Sequence, residues 1–367
     1  MCQRTTRINS IFCILPPHIL RAIAQNGTPQ QRVTALQTLA TDQTMRSIRA
    51  AQPPMAGAAR RARVLAVEGQ KQRTIFDTHN SQNLPGAVVR GEGAPPTGDV
   101  AVDEAYDGLG ATFDFFWDAY ERNSIDDEGL PLNATVHFGQ NYDNAFWNGE
   151  QMVFGDGDGA LFNRFTISLD VIGHELTHGV TEDEARLIYL FQAGALNEAI
   201  SDVFGSLVKQ RVLNQTADQA DWLIGAGLLA PSINGVALRS MKAPGTAYDD
   251  PLLGKDPQPA HMRDFVHTYD DNGGVHINSG IPNHAFYLAA TKLGGYAWEK
   301  AGRIWYDTLR DGRVRPTTGF RSFARLTVDH ARQLFGNGSP EQQAVRESWS
   351  EVGIAIPPVA ATRARGT

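Results

Sequence analysis

Val171-Ile172-Gly173-His174-Glu175-Leu176-Thr177-His178-Gly179 carries two histidines four residues apart, with a glutamate directly after the first. Side chains at that spacing are neighbours on one face only if the segment is helical. Both imidazoles can then reach a single metal ion. Glu175 is rotated about a quarter turn from the histidine line, so it can approach a metal-bound water without displacing a ligand. A catalytic zinc ion held by two histidines needs a third protein ligand and keeps its fourth position open.

The following helical pattern, Gly194-Ala195-Leu196-Asn197-Glu198-Ala199-Ile200-Ser201-Asp202-Val203-Phe204-Gly205, offers two acids four residues apart. Leu196, Ile200, Val203 and Leu207 predict a buried stripe on its other side, and acids are not placed on such a helix without a partner. We assign Glu198 to the metal. Asp202 is assigned to accept the spare ring N–H of a liganding histidine. An ordinary surface helix would account for His-Glu-x-x-His alone, but not for the acid pair that follows it.

These segments, with Leu187-Ile188-Tyr189 and Asp271-Asn272-Gly273-Gly274-Val275-His276-Ile277-Asn278-Ser279-Gly280, closely resemble the thermolysin-like family of neutral zinc metallopeptidases over roughly residues 72–355. The resemblance implies an α+β fold, with a β-rich N-terminal half and an all-α C-terminal domain joined by the zinc-binding helix. It implies a metalloendopeptidase acting on peptide and protein substrates. Glu175 would be the general base, with His276, oriented by Asp271, and Tyr189 as transition-state donors. Arg239 would contact a substrate carbonyl, and Asn144 and the Ala145 carbonyl would pair with an extended substrate. Phe162, Val171 and Leu238 match the pocket for the side chain after the scissile bond, which implies cleavage before large apolar residues; taken alone they read as core.

Residues 1–65 differ in composition from the rest, with few aromatics and much Arg, Gln, Ala and Thr. Pro29 to Ala50 has a helical pattern, and Pro53-Pro54 with Ala56 to Arg61 reads as a protease-accessible linker. The bland reading is a loosely ordered extension. Pro16-Pro17-His18-Ile19-Leu20, however, resembles the Pro-Pro-x-x-Leu element of the short propeptides in the protealysin-like branch of the family. That implies a segment lying across the cleft as an intramolecular inhibitor of a zymogen, removed by a cut between Arg46 and Arg63. The expected divisions are a propeptide and linker (1–65), a β-rich catalytic half with the zinc helix (66–190), a helical half (191–355) and a patternless tail (356–367). Cys2 and Cys13 are the two cysteines. Either thiolate could cap zinc in a precursor, but a plain small apolar or surface cysteine is the favoured reading.

From Arg73 onward the sequence is β-prone and turn-rich, interrupted by an amphipathic helix over Asp103 to Asn123. Asn148-Gly149 between two β-prone runs predicts a hairpin. Gly155-Asp156-Gly157-Asp158-Gly159 lacks the rest of a calcium loop and reads as a tight turn. Helices are expected over Ile281 to Lys292, Tyr296 to Arg310, Phe320 to Phe335 and Pro340 to Val352.

The net charge of -7 gives no electrostatic footprint for nucleic acid or an anionic membrane. No run approaches the ~18 apolar residues of a membrane span. The apolar stretch Ile11 to Leu15 is too short for a signal-peptide core. Secretion is therefore implied only by the resemblance, with a cytoplasmic zymogen as the alternative, and a monomer is expected. Larger secreted members carry a paired calcium site built from acids; Asp170 and Asp221 remain here, but matching positions read Lys209, Leu223 and Ala226. A lysine opposes cation binding, so the paired site is expected to be absent. Two further readings stay open: a zinc aminopeptidase, and a non-catalytic zinc-binding protein.

Overall fold

The computed structural model describes residues 11–51 and 67–357. The chain enters it as a two-residue strand, β1 (Phe12–Cys13), and continues into two helices, α1 (Pro17–Asn26) and α2 (Pro29–Ala51), that pack on each other. Pro17 takes the first helical position of α1, where its fixed φ is already right and its missing N–H leaves no gap. The N-terminal segment is thus ordered over these residues, against the bland reading. Cys2, the linker at 53–61 and the part of the maturation interval beyond residue 51 lie outside the described residues, as does the tail from residue 358.

The N-terminal half is built from β2 (Arg73–Asp77), β3 (Ala87–Gly91), α3 (Val100–Tyr120), β4 (Leu132–Val136), β5 (Ala145–Trp147) and β6 (Met152–Phe154). Its sheet has six strands in the order β1-β5-β6-β4-β2-β3, so the N-terminal segment supplies an edge strand. Helix α3 starts earlier than the apolar pattern suggested. The Asp99 carboxylate caps it by accepting from the Ala101 and Val102 amides, and Glu121, with φ 56°, ends it. The β5–β6 hairpin turns at Asn148-Gly149 as read, with Gly149 at φ 96°.

Helices α4 (Leu169–Glu184) and α5 (Phe191–Val212) carry the two metal motifs and pack closely. A Cβ on Gly205 would stand 2.3 Å from the Asp170 carbonyl oxygen, and one on Gly173 would stand 3.0 Å from the Gly205 Cα. Only glycine at these positions lets the helices approach enough for side chains from both to meet around one point. The one-sided stripe read for α5 was too narrow: every residue from Ala193 to Gln210 is buried. With helices from both halves packed around α5, its polar side chains must be paired inside the protein.

Beyond α5, the short strands β7 (Leu223–Ile224) and β8 (Arg239–Ser240) form a two-stranded ladder. Helices α6 (Asp271–Asn278), α7 (Gly280–Leu293), α8 (Ala301–Leu309), α9 (Phe320–Phe335) and α10 (Pro340–Glu351) complete the C-terminal half. The expected start of α8 at Tyr296 is five residues early. Gly294 and Gly295 have φ 65° and 68°, and Tyr296 to Lys300 form turns in which Tyr296 stacks on Trp298 at 4.5 Å. A single apolar cluster extends from Phe12 through both halves to Ile356. Among the described residues no helix is long and apolar enough to cross a membrane.

Candidate active site

His174 and His178, one turn apart on α4, turn their Nε2 atoms toward each other at 3.0 Å. Glu198 of α5 brings Oε2 to 3.5 Å from the first and Oε1 to 3.4 Å from the second. All three side chains are fully buried. His174 Nδ1 lies 2.8 Å from the Asp202 carboxylate, and His178 Nδ1 lies 2.8 Å from Asn197 Oδ1 and 3.0 Å from Ser201 Oγ. With the protons on Nδ1, two lone pairs and a carboxylate face one another in a dry pocket, and Glu198 Oε2 has no hydrogen-bond partner. That arrangement is repulsive unless a cation sits within it, and the two-nitrogen, one-oxygen set suits zinc. Burial, reinforced by neighbouring His174, holds the His178 pKa well below that of an ordinary histidine, which keeps the ring neutral as a ligand must be.

Asp202 does more than orient His174. It receives a two-pronged contact from Arg239, Nε to Oδ2 at 2.9 Å and Nη2 to Oδ1 at 2.8 Å, and a third donor from Asn283 Nδ2 at 2.8 Å. Burial opposes its ionisation, but Arg239 and His174 outweigh that and hold it below the usual carboxylate range.

Glu175 stands beside this cluster with Oε2 accepting from the Trp147 amide at 3.0 Å and Oε1 unpartnered. Burial, with the charge of Glu198, pushes its carboxyl well above the ordinary range, a property of a group that takes and returns protons. Tyr189 donates its hydroxyl to Glu198 and lies 3.1 Å from His276 Nε2. His276 is set by the backbone before it. Asp271, Asn272, Gly273 and Gly274 all have positive φ, and this left-handed run folds Asp271 back so that Oδ2 accepts the His276 amide at 2.9 Å and Oδ1 meets Nδ1 at 2.6 Å. Burial works against protonating this ring, yet Asp271 and Glu198 push its pKa up to about 9.

The N-terminal segment fills the groove over these residues. Strand β1 runs antiparallel to β5, with Phe12 opposite Trp147 and Cys13 opposite Phe146. The Ile14 amide donates to the Ala145 carbonyl at 3.2 Å and the Leu15 amide to Asn144 Oδ1 at 3.0 Å. Arg239 Nη1 donates to the Ile14 carbonyl at 3.1 Å. Phe162, Val171 and Leu238 are buried in the same apolar cluster as Ile14 and Leu15. Cys13 does not reach the metal cluster: its side chain lies with Ile11, Phe138, Phe146 and Val153, and Arg46 Nη2 points at its sulfur from 3.5 Å. Burial pushes this thiol up, away from thiolate. Strand alternation puts the Phe12 ring on the metal side instead.

The structure thus brings His174, His178, Glu198, Asp202, Arg239, Tyr189, His276 and Asp271 into one network, with Glu175 beside it, while Phe162, Val171 and Leu238 are seen only as buried members of the surrounding core. It also adds partners that sequence reasoning missed: Asn197, Ser201, Asn283, Phe12 and Asp42. Asn197 and Ser201 form a second pair at four-residue spacing, one position before Glu198 and Asp202, so the rule that found the acids also points to them. Asp42 of α2 accepts from the Tyr142 hydroxyl at 2.5 Å and from Asn144 Nδ2 at 3.0 Å, which turns the Asn144 carbonyl oxygen toward Leu15. Nothing in the sequence connects position 42 to 144.

Away from the cleft, Lys209 Nζ sits between Asp170 Oδ2 at 2.6 Å and Asp221 Oδ1 at 2.9 Å, and donates to the Leu223 carbonyl at 2.8 Å. An ammonium ion occupies the space between the two acids.

A buried His-His-Glu cluster next to a glutamate with one unpartnered oxygen, under a chain segment lying in extended form, defines the protein as a zinc metalloendopeptidase. Residues 54–182 match the thermolysin metallopeptidase catalytic domain, and residues 185–354 match the thermolysin metallopeptidase alpha-helical domain. The chain belongs to the thermolysin family of metallopeptidases. It is 57% identical over 346 residues to an extracellular metalloprotease of Pectobacterium carotovorum subsp. carotovorum, covering 94% of this chain and 97% of the relative. An extracellular minor metalloprotease of Serratia marcescens is 46% identical over 354 residues, 92% of this chain and 93% of its own. The solved precursor of protealysin, a metalloproteinase from Serratia proteamaculans, superposes with a TM-score of 0.85 at 59% identity, covering 94% of this chain and all of that one.

Proposed function

We propose that the zinc-loaded enzyme cuts internal peptide bonds before large apolar residues, and that residues 1–65 keep it latent until they are removed. Bound through His174, His178 and Glu198, zinc would lower the pKa of its water and polarise the scissile carbonyl. Glu175 takes the proton from the attacking water and returns it to the leaving amine. His276 and Tyr189 donate where negative charge develops on the carbonyl oxygen, with Asp271 fixing the direction of the His276 ring. Arg239, Asn144 and Ala145 hold the substrate backbone, and Phe162, Val171 and Leu238 receive the side chain after the cut. Asp202 positions both His174 and Arg239, which couples metal binding to substrate binding.

The observation that carries this reading is the strand-like engagement of residues 12 to 15, which continue on both sides of the carbonyl facing His276. A cleft that takes a chain through its middle suits an endopeptidase and has no call for a free N-terminus, which disfavours the aminopeptidase reading. The unpartnered Glu175 oxygen disfavours a non-catalytic zinc protein. Hydrolysis of an N-acylated dipeptide amide with a large apolar second residue tests it, because an aminopeptidase cannot cut a blocked peptide.

The working divisions are the propeptide and linker at 1–65, catalytic halves at 66–190 and 191–355, and the tail at 356–367. The paired calcium site is replaced by the Lys209 ammonium, and the enzyme acts as a monomer. Its relatives are named extracellular, which supports secretion as a latent precursor.

A further inference from the structure

The backbone of the N-terminal segment is held in a definite register. His276 Nε2 lies 3.0 Å from the Cys13 carbonyl oxygen while its Nδ1 faces Asp271, so both ring nitrogens address acceptors and the Cys13 carbonyl receives the outward proton. The next amide, on Ile14, is held by the Ala145 carbonyl, and the next carbonyl, on Ile14, by Arg239. Ile14 is large, apolar and fully buried, in the cluster that includes Phe162, Val171 and Leu238. Phe12, before the carbonyl, covers His178. The segment therefore lies across the cleft as a substrate would, with the Cys13 carbonyl at His276 and the Ile14 amide and carbonyl at Ala145 and Arg239.

Building on the function proposed above, we infer that the Cys13–Ile14 peptide bond is held in reactive register and that the zinc-loaded precursor cuts it within its own chain. One water is consumed. Its oxygen joins the Cys13 carbonyl carbon, the C–N bond to Ile14 breaks, and both protons of the water pass to the Ile14 nitrogen, the first carried by Glu175 as the bond breaks and the second given up by the new carboxyl group. Cys13 becomes a C-terminal carboxylate and Ile14 an N-terminal ammonium.

This cut leaves the cleft filled. Residues from Ile14 onward remain tied down by Arg239 and Asn144, by His18 Nε2 at 2.9 Å from the Tyr248 hydroxyl, by Asp42 on Tyr142 and Asn144, and by Arg49 Nη2 on Glu182 at 2.6 Å. Nicking at residue 13 is a step separate from removal of the propeptide, and its product is a nicked chain in which the residues from Ile14 onward still occupy their part of the cleft.

The test is mass spectrometry of the freshly purified full-length chain after zinc is supplied. A fragment ending at Cys13 and a partner beginning at Ile14 are expected, at a rate independent of chain concentration and absent in Glu175→Gln. Ile14→Asp should slow the cut roughly ten-fold or more, because it puts a charge where an apolar side chain is received. A second readout needs no metal: in a Cys2→Ser chain treated with chelator, the ¹³C-labelled Cys13 carbonyl resonance should move when Asp271→Asn or His276→Asn is introduced. Cuts only at other bonds, in a chain whose mature form still hydrolyses the blocked dipeptide, would overturn this inference and leave the proposed function standing. A Cys13 resonance indifferent to both changes would overturn the register itself. Failure of zinc-loaded mature enzyme on the blocked dipeptide would instead remove the function it rests on.

Discussion

The Phe12 ring lies stacked on the His178 ring, with centroids 4.3 Å apart and planes 15° from parallel, and meets Tyr189 edge-on at 4.8 Å. It is thus an aromatic ring, and not the Cys13 thiol, that covers a histidine of the metal cluster. Strand geometry forces the choice: with Phe12 facing the cluster, its neighbour Cys13 must face the other side of the sheet.

Phe12→Ala should therefore loosen the segment, since truncating a buried phenylalanine costs about 3–5 kcal/mol of packing. Its uncleaved precursor should hydrolyse a small blocked peptide faster than the parent precursor does. Cys13→Ser should stay as latent as the parent. The comparison is made on chains shown by mass to retain the propeptide, and a leaky Cys13→Ser with a tight Phe12→Ala would reverse the assignment.

Glu175 and Glu198 are both buried carboxylates, but they differ in what they touch. Glu198 faces two ring nitrogens and the Tyr189 hydroxyl, whereas Glu175 has one amide donor and a free oxygen. Glu175→Gln should leave zinc content at one ion per chain by elemental analysis while removing turnover. Tyr189→Phe should lose roughly 10²-fold in rate, as expected for one oxyanion donor. A Glu175→Gln enzyme that loses its zinc would mean that the two glutamates have been exchanged.

The metal helix, the acid pair and the C-terminal helices were readable because each follows from spacing within one element, where periodicity fixes the face. The hairpin at Asn148-Gly149 was readable for a similar local reason. The contacts of Asp42 with Tyr142 and Asn144 were not, since they join positions about a hundred residues apart that only the tertiary fold brings together. The complete burial of α5 was hidden too. Glu198 and Asp202 were read as needing partners, but the contacts of Asn197 and Ser201 with His178, and of Arg239 and Asn283 with Asp202, are seen only in the folded chain. The early start of α3 depends on a cap at Asp99, outside the apolar pattern used to find the helix.

Lys209 Nζ lies between Asp170 and Asp221, where the proposed reading has it take the place of a cation. Asp170 is buried and its other oxygen accepts the Gly225 amide at 2.9 Å, so deleting the ammonium leaves a charge with little solvent. Lys209→Met should cost on the order of 3–5 kcal/mol, read as a lowered denaturation midpoint. The parent should show the same melting temperature with calcium or with a calcium chelator. A saturable rise in the parent's melting temperature with calcium would contradict the idea that the lysine takes the ion's place.

His137 joins the end of β4 to the start of α3. Its Nδ1 lies 2.8 Å from Asp156 Oδ2 and its Nε2 lies 3.1 Å from Asp99 Oδ2, the carboxylate that caps α3. The bond to Asp156 is the main cause that raises its pKa to about 9; partial burial opposes the rise and the charges of Asp156 and Asp99 add to it. A histidine with a raised folded-state pKa contributes stability that is complete below its unfolded value of about 6.5 and is lost as pH climbs through about 9. Stability should accordingly decline across that window in the parent and less steeply in His137→Gln, with a difference on the order of 1 kcal/mol once solvent screening is allowed for. Because His276 also titrates near pH 9, the quantity to compare is the parent-minus-variant difference in urea midpoint at pH 6 and pH 9.5. A difference that does not shrink with rising pH would show that His137 is neutral in the folded chain, with α3 capped by Asp99 alone.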